Sequence, residues 1–334
     1  MSSLKELASM VGVSPTTVSF VLNGREKEMR ISEEVANKIL KAAKEMSYRP
    51  NNIAVALRTG QTKIIGLIVE DIGNNFFSTL AKTIEEELSA YDYRVVYCST
   101  GNEPKKAEEM IAMLQRQQVD GYLLTPSDGM NLRVTELLKK KIPVVQIDRY
   151  FEKLACPYVM VDNYGGVVQG VTHLINKGKK NIGFVTVDLD LVQMKERENG
   201  FIDTLKKHKL PNKKGQLLRF DYRSDKEASI KAIREYLQSQ TLDAVMFSTN
   251  YVGIAGLQAI KDLGLKIPND LAVVCFDDNE LFSFCTPTIT AIQQPIQSIA
   301  KSAVKILMGE LGVIRKTAQK QVRIPTKIIY RESV

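Results

Sequence analysis

The 334-residue chain has no tryptophan, two histidines and four cysteines. His173 and His208 lie far apart, so neither an H-x-x-x-H zinc spacing nor a paired-histidine site is available. Cys98, Cys156, Cys275 and Cys285 form no close pair, which excludes a metal knuckle and points to reduced structural thiols. No apolar run approaches the length needed to cross a bilayer, and the first residues lack a secretory core. A cytoplasmic protein with no membrane partner is therefore expected. Also missing are the glycine spacings of phosphate and dinucleotide loops in GNEPKK and GYLLTPSDG, and a nucleophile elbow around Ser127 or Ser248. Neither an enzyme nor a cofactor nor a bound metal is expected.

What is present describes a folded chain of two or three domains: 44% hydrophobic and 25% charged residues. The formal net charge of +8 favours a polyanionic partner weakly, because many basic proteins bind no nucleic acid. The amino-terminal residues sharpen that hint. In SLKELASMVGVSPTTVSFVLNG, Leu4, Leu7 and Ala8 share a helical face, Ser3 and Glu6 have capping-box spacing, and Gly12 falls at a turn. Ser14 then caps a second helix with Pro15 at its first position, and Val18, Val21 and Leu22 form its inner face. Its outer face carries Thr16, Thr17 and Ser19, small enough to approach bases, while Ser14 and the helix start suit a phosphate. An ordinary helical hairpin with a wet polar face fits the same pattern.

After the Asn23-Gly24 turn signal, Ser32 can cap a third helix with Val35, Ile39 and Ala43 inward and Met46 at the edge. Lys27, Arg30, Lys38, Lys41, Lys44 and Arg49 are either phosphate contacts or solvated charges. In YRPNNIAVALRTGQTK, Asn51, Ala54 and Leu57 recur every three residues and would share one face of a marginal helix. Leu57 could wedge into a minor-groove step, or pack against the following domain.

The rest of the chain alternates apolar runs with helical intervals. The runs Ile64–Val69, Arg94–Cys98, Gly121–Thr125 and Pro143–Ile147 open one series; NIGFVTV, GQLLRF, DAVMFS and LAVVCF make a second. Two α/β lobes fit this better than one barrel. A ligand crevice is expected at strand ends, where Asp71, Ser127, Asp148, Arg149, Asp162, Asn250 and Asp277 fall. Each could equally be a cap, a turn or a lobe-closing ion pair. As a group they suit hydroxyl-rich ligands, carboxylates accepting and Arg149 donating.

The segments SLKELASMVGVSPTTVSFVLNG, ISEEVANKILKAAKEMSYRPN and NNIAVALRTG, with further stretches through IPTKIIYRES, resemble the lactose-repressor (LacI/GalR) family of bacterial transcription regulators over essentially the whole chain. The resemblance implies an N-terminal all-α helix-turn-helix DNA-binding domain (1–49), a hinge helix and linker (50–61), and a two-lobed α/β effector domain of the periplasmic-binding-protein type (62–334). Its first lobe is expected at about 62–161 plus 293–323 and its second at about 163–291 plus 326–334, with crossings near Val161–Asn163, Ile292–Pro295 and Arg323–Thr326. It implies base contacts at Pro15 and Thr16, and an intercalating role for Leu57. The full set expected at DNA is Ser14, Pro15, Thr16, Thr17, Ser19, Phe20, Asn23, Asn51, Ala54 and Leu57. Phe20 departs from the family's usual Arg, and a phenyl ring cannot pair with guanine though it can touch a thymine methyl. It reads a changed half-site or packs on the domain surface.

The resemblance further implies effector contacts at Asp148, Arg149, Arg197 of the R-x-x-G-F motif, Asp277, and with less force Phe76, Phe77 and Asn250; Ser127 joins the expected effector set as a polar residue at a strand end. Asn75 stands where the family usually has Pro, and Tyr251 where it usually has Asp. The expected partners are a palindromic double-stranded operator, a small-molecule effector and a second copy of the chain. A sugar or sugar derivative is favoured, with a nucleoside or nucleobase as the alternative, and a solute-binding module without operator binding as the competing class. The PVV surface around Pro143 is a candidate for joining the dimer.

Overall fold

A computed structural model describes residues 3–48, 56, 59–211 and 214–334. They divide into two compact units, Met1–Lys63 and Ile64–Val334.

The first unit is three helices, α1 (Leu4–Val11), α2 (Pro15–Leu22) and α3 (Glu33–Glu45). Ser3 Oγ accepts from Glu6 N at 3.1 Å while Ser3 N donates to Glu6 Oε2 at 2.8 Å, a reciprocal cap of α1. Gly12 ends α1 at φ +76°, a left-handed conformation open to glycine at no steric cost. Ser14 and Ser32 cap α2 and α3 through the amides of Thr17 and Val35. Leu7, Ala8, Val18, Val21, Ala36, Ile39, Ala42 and Ala43 make the core. Val35 is half-buried rather than inside, because the helical stripe of α3 runs through 36, 39 and 43 and leaves 35 on its edge. The expected hinge residues Asn51, Ala54 and Leu57 lie outside the described residues, as does Arg49.

The second unit holds two six-stranded sheets. Strands β1 (Ile64–Val69), β2 (Arg94–Ser99), β3 (Gly121–Leu124), β4 (Val144–Ile147) and β5 (Tyr158–Val161) pair in parallel, and β11 (Gln321–Ile324) joins β5 to give the order β11-β5-β4-β3-β1-β2. Helices α4 (Asn75–Ser89), α5 (Pro104–Arg116) and α6 (Met130–Lys139) cover it, together with the late helix α12 (Ile296–Glu310). The central strands are buried on both faces, as strands sandwiched between helices must be, and so read as unbroken apolar runs.

The second sheet uses β6 (Ile182–Asp188), β7 (Leu217–Asp221), β8 (Ala244–Phe247), β9 (Ala272–Phe276), β10 (Thr290–Gln293) and β12 (Lys327–Ile329) in the order β12-β10-β9-β8-β6-β7, with β12 antiparallel. It is covered by α7 (Asn163–Asn176) and α8 (Val192–Lys207) on one face and by α9 (Lys226–Ser239), α10 (Asn250–Asp262) and α11 (Glu280–Phe284) on the other. The chain passes between sheets after Val161, after Gln293 and after Ile324. Val144 and Val145 are interior, at 1% and 0% exposure, and only Pro143 of the PVV segment is half-buried, so the two valines offer no surface to a second copy. A four-residue apolar strand in mid-sheet is hidden on both sides.

Candidate effector cleft and DNA-reading face

Two strand ends define the cleft. β4 runs into Asp148 and β9 into Asp277, and each aspartate sits in the left-handed region, at φ +69° and +66°. Such a conformation is uncommon outside glycine but tolerated by Asp, and it persists where surrounding contacts hold it.

On the second lobe, Arg197 of α8 is 2% exposed. Its Nε donates to Asn163 Oδ1 at 2.9 Å and its Nη1 to the Ser248 carbonyl at 2.7 Å and Asp277 Oδ2 at 3.4 Å. The guanidinium carbon lies 3.8 Å from the Phe276 ring centroid, a cation over an aromatic face. Asp277 Oδ1 accepts from Gln294 Nε2 at 2.5 Å.

On the first lobe, Arg149 donates through Nη2 to Glu70 Oε2 at 2.8 Å and to Asn102 Oδ1 at 2.9 Å. Its Nε lies 4.0 Å from Asp148 Oδ2 and has no hydrogen-bond partner among the described residues. Burial pushes the Asp148 carboxyl up to about 6; Arg149 and Arg197 oppose that shift, and Glu70 and Asp277 add to it.

These groups meet across the lobes. Glu70, Asp148, Arg149, Arg197, Asp277 and Gln294, with Phe76, Phe77, Met194 and Tyr251, line a cavity of about 40 Å³. That holds only a few waters, so a sugar ring enters only if the lobes part. Among the described residues, Tyr222 bridges them by donating to Glu70 Oε1 at 2.9 Å, Asn250 Nδ2 by donating to Asn74 Oδ1 at 3.1 Å, and Arg323 Nη1 by donating to Glu196 Oε2 at 3.0 Å. Beyond the Asn74–Asn250 pair is a larger chamber of about 560 Å³ that both residues also line. Several buried polar atoms of the unit lack partners, among them Ser127 Oγ, Thr125 Oγ1, Gln193 Oε1 and Gln294 Oε1. Buried polar atoms left so are a demand for hydrogen bonds from something else.

The expected residues therefore separate. Asp148, Arg149, Arg197, Asp277, Phe76 and Phe77 share the small cavity, the two phenyl rings edge to face at 5.0 Å and also part of the first-lobe core. Asn250 faces the outer chamber and bridges the lobes, and Ser127 is buried without lining either space. Asp162 caps α7 by accepting from Gly165 N at 2.8 Å, and Asp71 closes a turn onto Gly73 N at 2.9 Å. Glu70, Asn102, Asn163, Tyr222 and Gln294 were missed from sequence; only Glu70 and Gln294 carried a signal, as polar residues ending apolar runs.

On the reading face, Thr16 is exposed, while Thr17, Ser19 and Phe20 are half-buried. Ser14 Oγ is occupied by the Thr17 amide at 3.1 Å and hydroxyl at 2.9 Å, and Asn23 Nδ2 donates to the Ser19 carbonyl at 2.5 Å. Pro15 is exposed at the helix start, and Phe20 is not part of the three-helix core.

A capped helix-turn-helix unit and a two-lobed α/β unit with a charged cleft define a ligand-responsive DNA-binding regulator as a class. Residues 3–51 match bacterial regulatory proteins of the lacI family, and residues 171–334 match the periplasmic binding protein-like domain. The chain is 30% identical over 334 residues to a ribose operon repressor of Halalkalibacterium halodurans, covering 100% of this chain and 97% of that protein. It is 28% identical to the HTH-type transcriptional repressor PurR of Aliivibrio salmonicida, over 93% of this chain and 92% of that one. The fold is similar to the crystal structure of the lac repressor dimer bound to operator and the anti-inducer ONPF, with a TM-score of 0.87, 21% identity, and 99% and 98% of the two chains covered. The chain belongs to the lacI family of bacterial regulatory proteins and is a transcriptional regulator of that family. Among the described residues no helix is long and apolar enough to cross a membrane.

Proposed function

We propose that the chain is a homodimeric, cytoplasmic repressor whose affinity for a palindromic operator is set by a sugar or sugar derivative held between the lobes. The observation that carries this is the facing of Asp148 and Arg149 against Arg197 and Asp277 across one small cavity with phenyl rings at its edge. Carboxylates accept from ring hydroxyls, guanidinium groups donate to ring and glycosidic oxygens, and a phenyl face covers the apolar side of a pyranose or furanose. The name of the ribose operon repressor relative supports the same class of ligand. Ser14, Pro15, Thr16, Thr17, Ser19, Phe20 and Asn23 form the operator-reading surface in this proposal, with Asn51, Ala54 and Leu57 at the operator centre. Ser127 and Asn250 act at the margin of the effector site, Asn250 through the bridge it makes to Asn74.

A second copy has a surface to meet. Leu281 and Phe284 are 54% and 81% exposed beside a groove lined by Leu257, Leu265 and Ile267. Exposed apolar patches of that kind mark association sites, and a twofold dimer would present two reading units to the two halves of a palindrome.

Thermal denaturation of the full chain against a panel of sugars, phosphosugars, nucleosides and nucleobases tests the ligand class, because a ligand that prefers the native state raises its apparent stability. A reproducible shift with one sugar is expected; a response confined to purines overturns the sugar reading. Selection from random duplex DNA at two salt concentrations tests the rest, with enrichment of a palindrome expected.

A further inference from the structure

Along the outward face of α2 no side chain is basic: residues 14–20 read SPTTVSF. Thr16 and Phe20 are four residues apart and so stand one above the other on that face. The guanidinium nearest to them comes from beyond the helix. Arg25 N donates to the Phe20 carbonyl at 2.9 Å, and the Arg25 guanidinium carbon lies 5.5 Å from the centroid of the Phe20 ring. Glu28 then takes the side-on edge of the fork, accepting from Nε at 2.7 Å and from Nη2 at 2.6 Å. The end-on edge, Nη1 with the second Nη2 hydrogen, has no partner shown among the described residues.

That arrangement orients more than it stabilises. The Arg25 and Glu28 side chains are 43% and 59% exposed, and an ion pair so wet contributes little to folding. What the carboxylate and the ring supply is restraint: a flexible arginine is held through its Nε–Nη2 edge, which leaves two parallel N–H groups of the other edge available beside the half-buried Phe20. Two parallel donors match guanine O6 and N7 in the major groove, whereas a phenyl ring suits the thymine methyl.

We propose that Arg25 is a specificity-determining residue that reads a guanine in each operator half-site through its end-on edge, next to a thymine contacted by Phe20, with Glu28 as its positioning residue. The proposal rests on the operator-binding reading given above. Selection from random duplex DNA, followed by titration of single-position operator variants at two salt concentrations, tests it on the full-length protein. The wild type is expected to enrich a palindrome with guanine at one fixed place per half-site. Arg25→Ala and Arg25→Lys should each lose preference for that guanine by about 10-fold or more while keeping the other positions, and Glu28→Gln should weaken it by less. Phe20→Ala should instead relax the neighbouring thymine. Helical circular dichroism of each variant establishes that the exposed substitutions leave the unit folded. An Arg25→Ala loss that is uniform over all sequences with a shallower salt slope would make Arg25 a phosphate contact and overturn the proposal. An unchanged preference overturns it as well. A wild type that enriches no palindrome overturns the operator-binding reading and this inference together, whereas a palindrome indifferent to Arg25 removes the inference alone.

Discussion

The two walls of the cleft are built alike and finished differently. Each ends a central strand in an aspartate with positive φ, and each sets an arginine against it. On the second lobe Asn163 takes the Nε of Arg197, Ser248 and Asp277 its Nη1, and Phe276 its face. On the first lobe Arg149 leans on Glu70 and Asn102 and keeps an unpartnered Nε, while Asp148 is held near neutrality by burial. A group whose partners are already in place is preorganised; one with an idle donor gains most from a new acceptor. The walls thus differ at Nε, satisfied by Asn163 on the second and buried without a partner among the described residues on the first, so an acceptor reaching Arg149 Nε would gain most.

The largest effects should come from the two buried arginines. Arg197→Ala removes the positive partner of a buried carboxylate and leaves Asn163 Oδ1 and the Ser248 carbonyl without their donor. Breaking a buried ion pair from one side costs about 3–5 kcal/mol. Arg149→Ala breaks a pair as buried and shorter, Nη2 to Glu70 Oε2 at 2.8 Å, and should cost a similar amount. Urea unfolding of the two variants, with Arg197→Lys as a charge-preserving control, measures both losses. A much smaller loss for either arginine would show that its wall does not depend on a buried pair.

The next effect is a pH dependence carried by Asp148. Its native carboxyl titrates at about 6, above the ordinary value of 3.8, so between roughly pH 4 and 6 the native state binds more protons than the unfolded chain. Stability contributed here is therefore lost as pH rises through that window and is flat above it, a change on the order of 2–3 kcal/mol. Asp148→Asn lacks the titration. Its stability relative to wild type should climb from pH 4 to about 6.5 and then level off; parallel curves would show that Asp148 is not the strained member of the first wall. The same substitution replaces a hydroxyl acceptor with a partial donor and should weaken any sugar that shifts the wild type.

Much of this was readable beforehand, for a physical reason. Strands buried on both faces must be continuous apolar runs, and those at Ile64–Val69 and Gly121–Thr125 coincide with β1 and β3 to within a residue, while the run Arg94–Cys98 matches the partly exposed edge strand β2. Helix starts were equally plain at Ser3 and Ser14, where the cap must sit just before the first turn. By contrast α12 was not singled out, although Lys301 and Lys305 stay exposed at helical spacing against the buried Ile299, Ala300, Ala303, Val304 and Leu307. Strands of three or four residues such as β5 and β12 are too short for alternation to register. In the cleft, Asp148 and Asp277 were visible as strand-end carboxylates, but Tyr222 and Asn102 come from loops whose direction is set by tertiary packing. The crossings between lobes were legible only through family resemblance, because periodicity carries no information about which sheet a strand joins.

The smallest effect tests how the walls are brought together. Glu196 precedes Arg197 on α8, and Arg323 is the penultimate residue of β11 on the other lobe; Nη1 and Nη2 of Arg323 meet the Glu196 carboxylate at 3.0 and 2.8 Å. Their side chains are 42% and 19% exposed for Arg323 and Glu196, which limits the pair to about 0.5–1 kcal/mol and makes it sensitive to salt. That weakness suits a switch: a ligand needs only a modest preference for one lobe arrangement to outweigh it. Glu196→Arg and Arg323→Glu should each lower stability by that amount and speed hydrogen exchange of the β11 amides. The double exchange should recover most of the loss at low salt and little at high salt. If the two losses simply add, the pair does not couple the lobes, and closure of the first wall onto the second rests on the Tyr222–Glu70 and Asn74–Asn250 bridges alone.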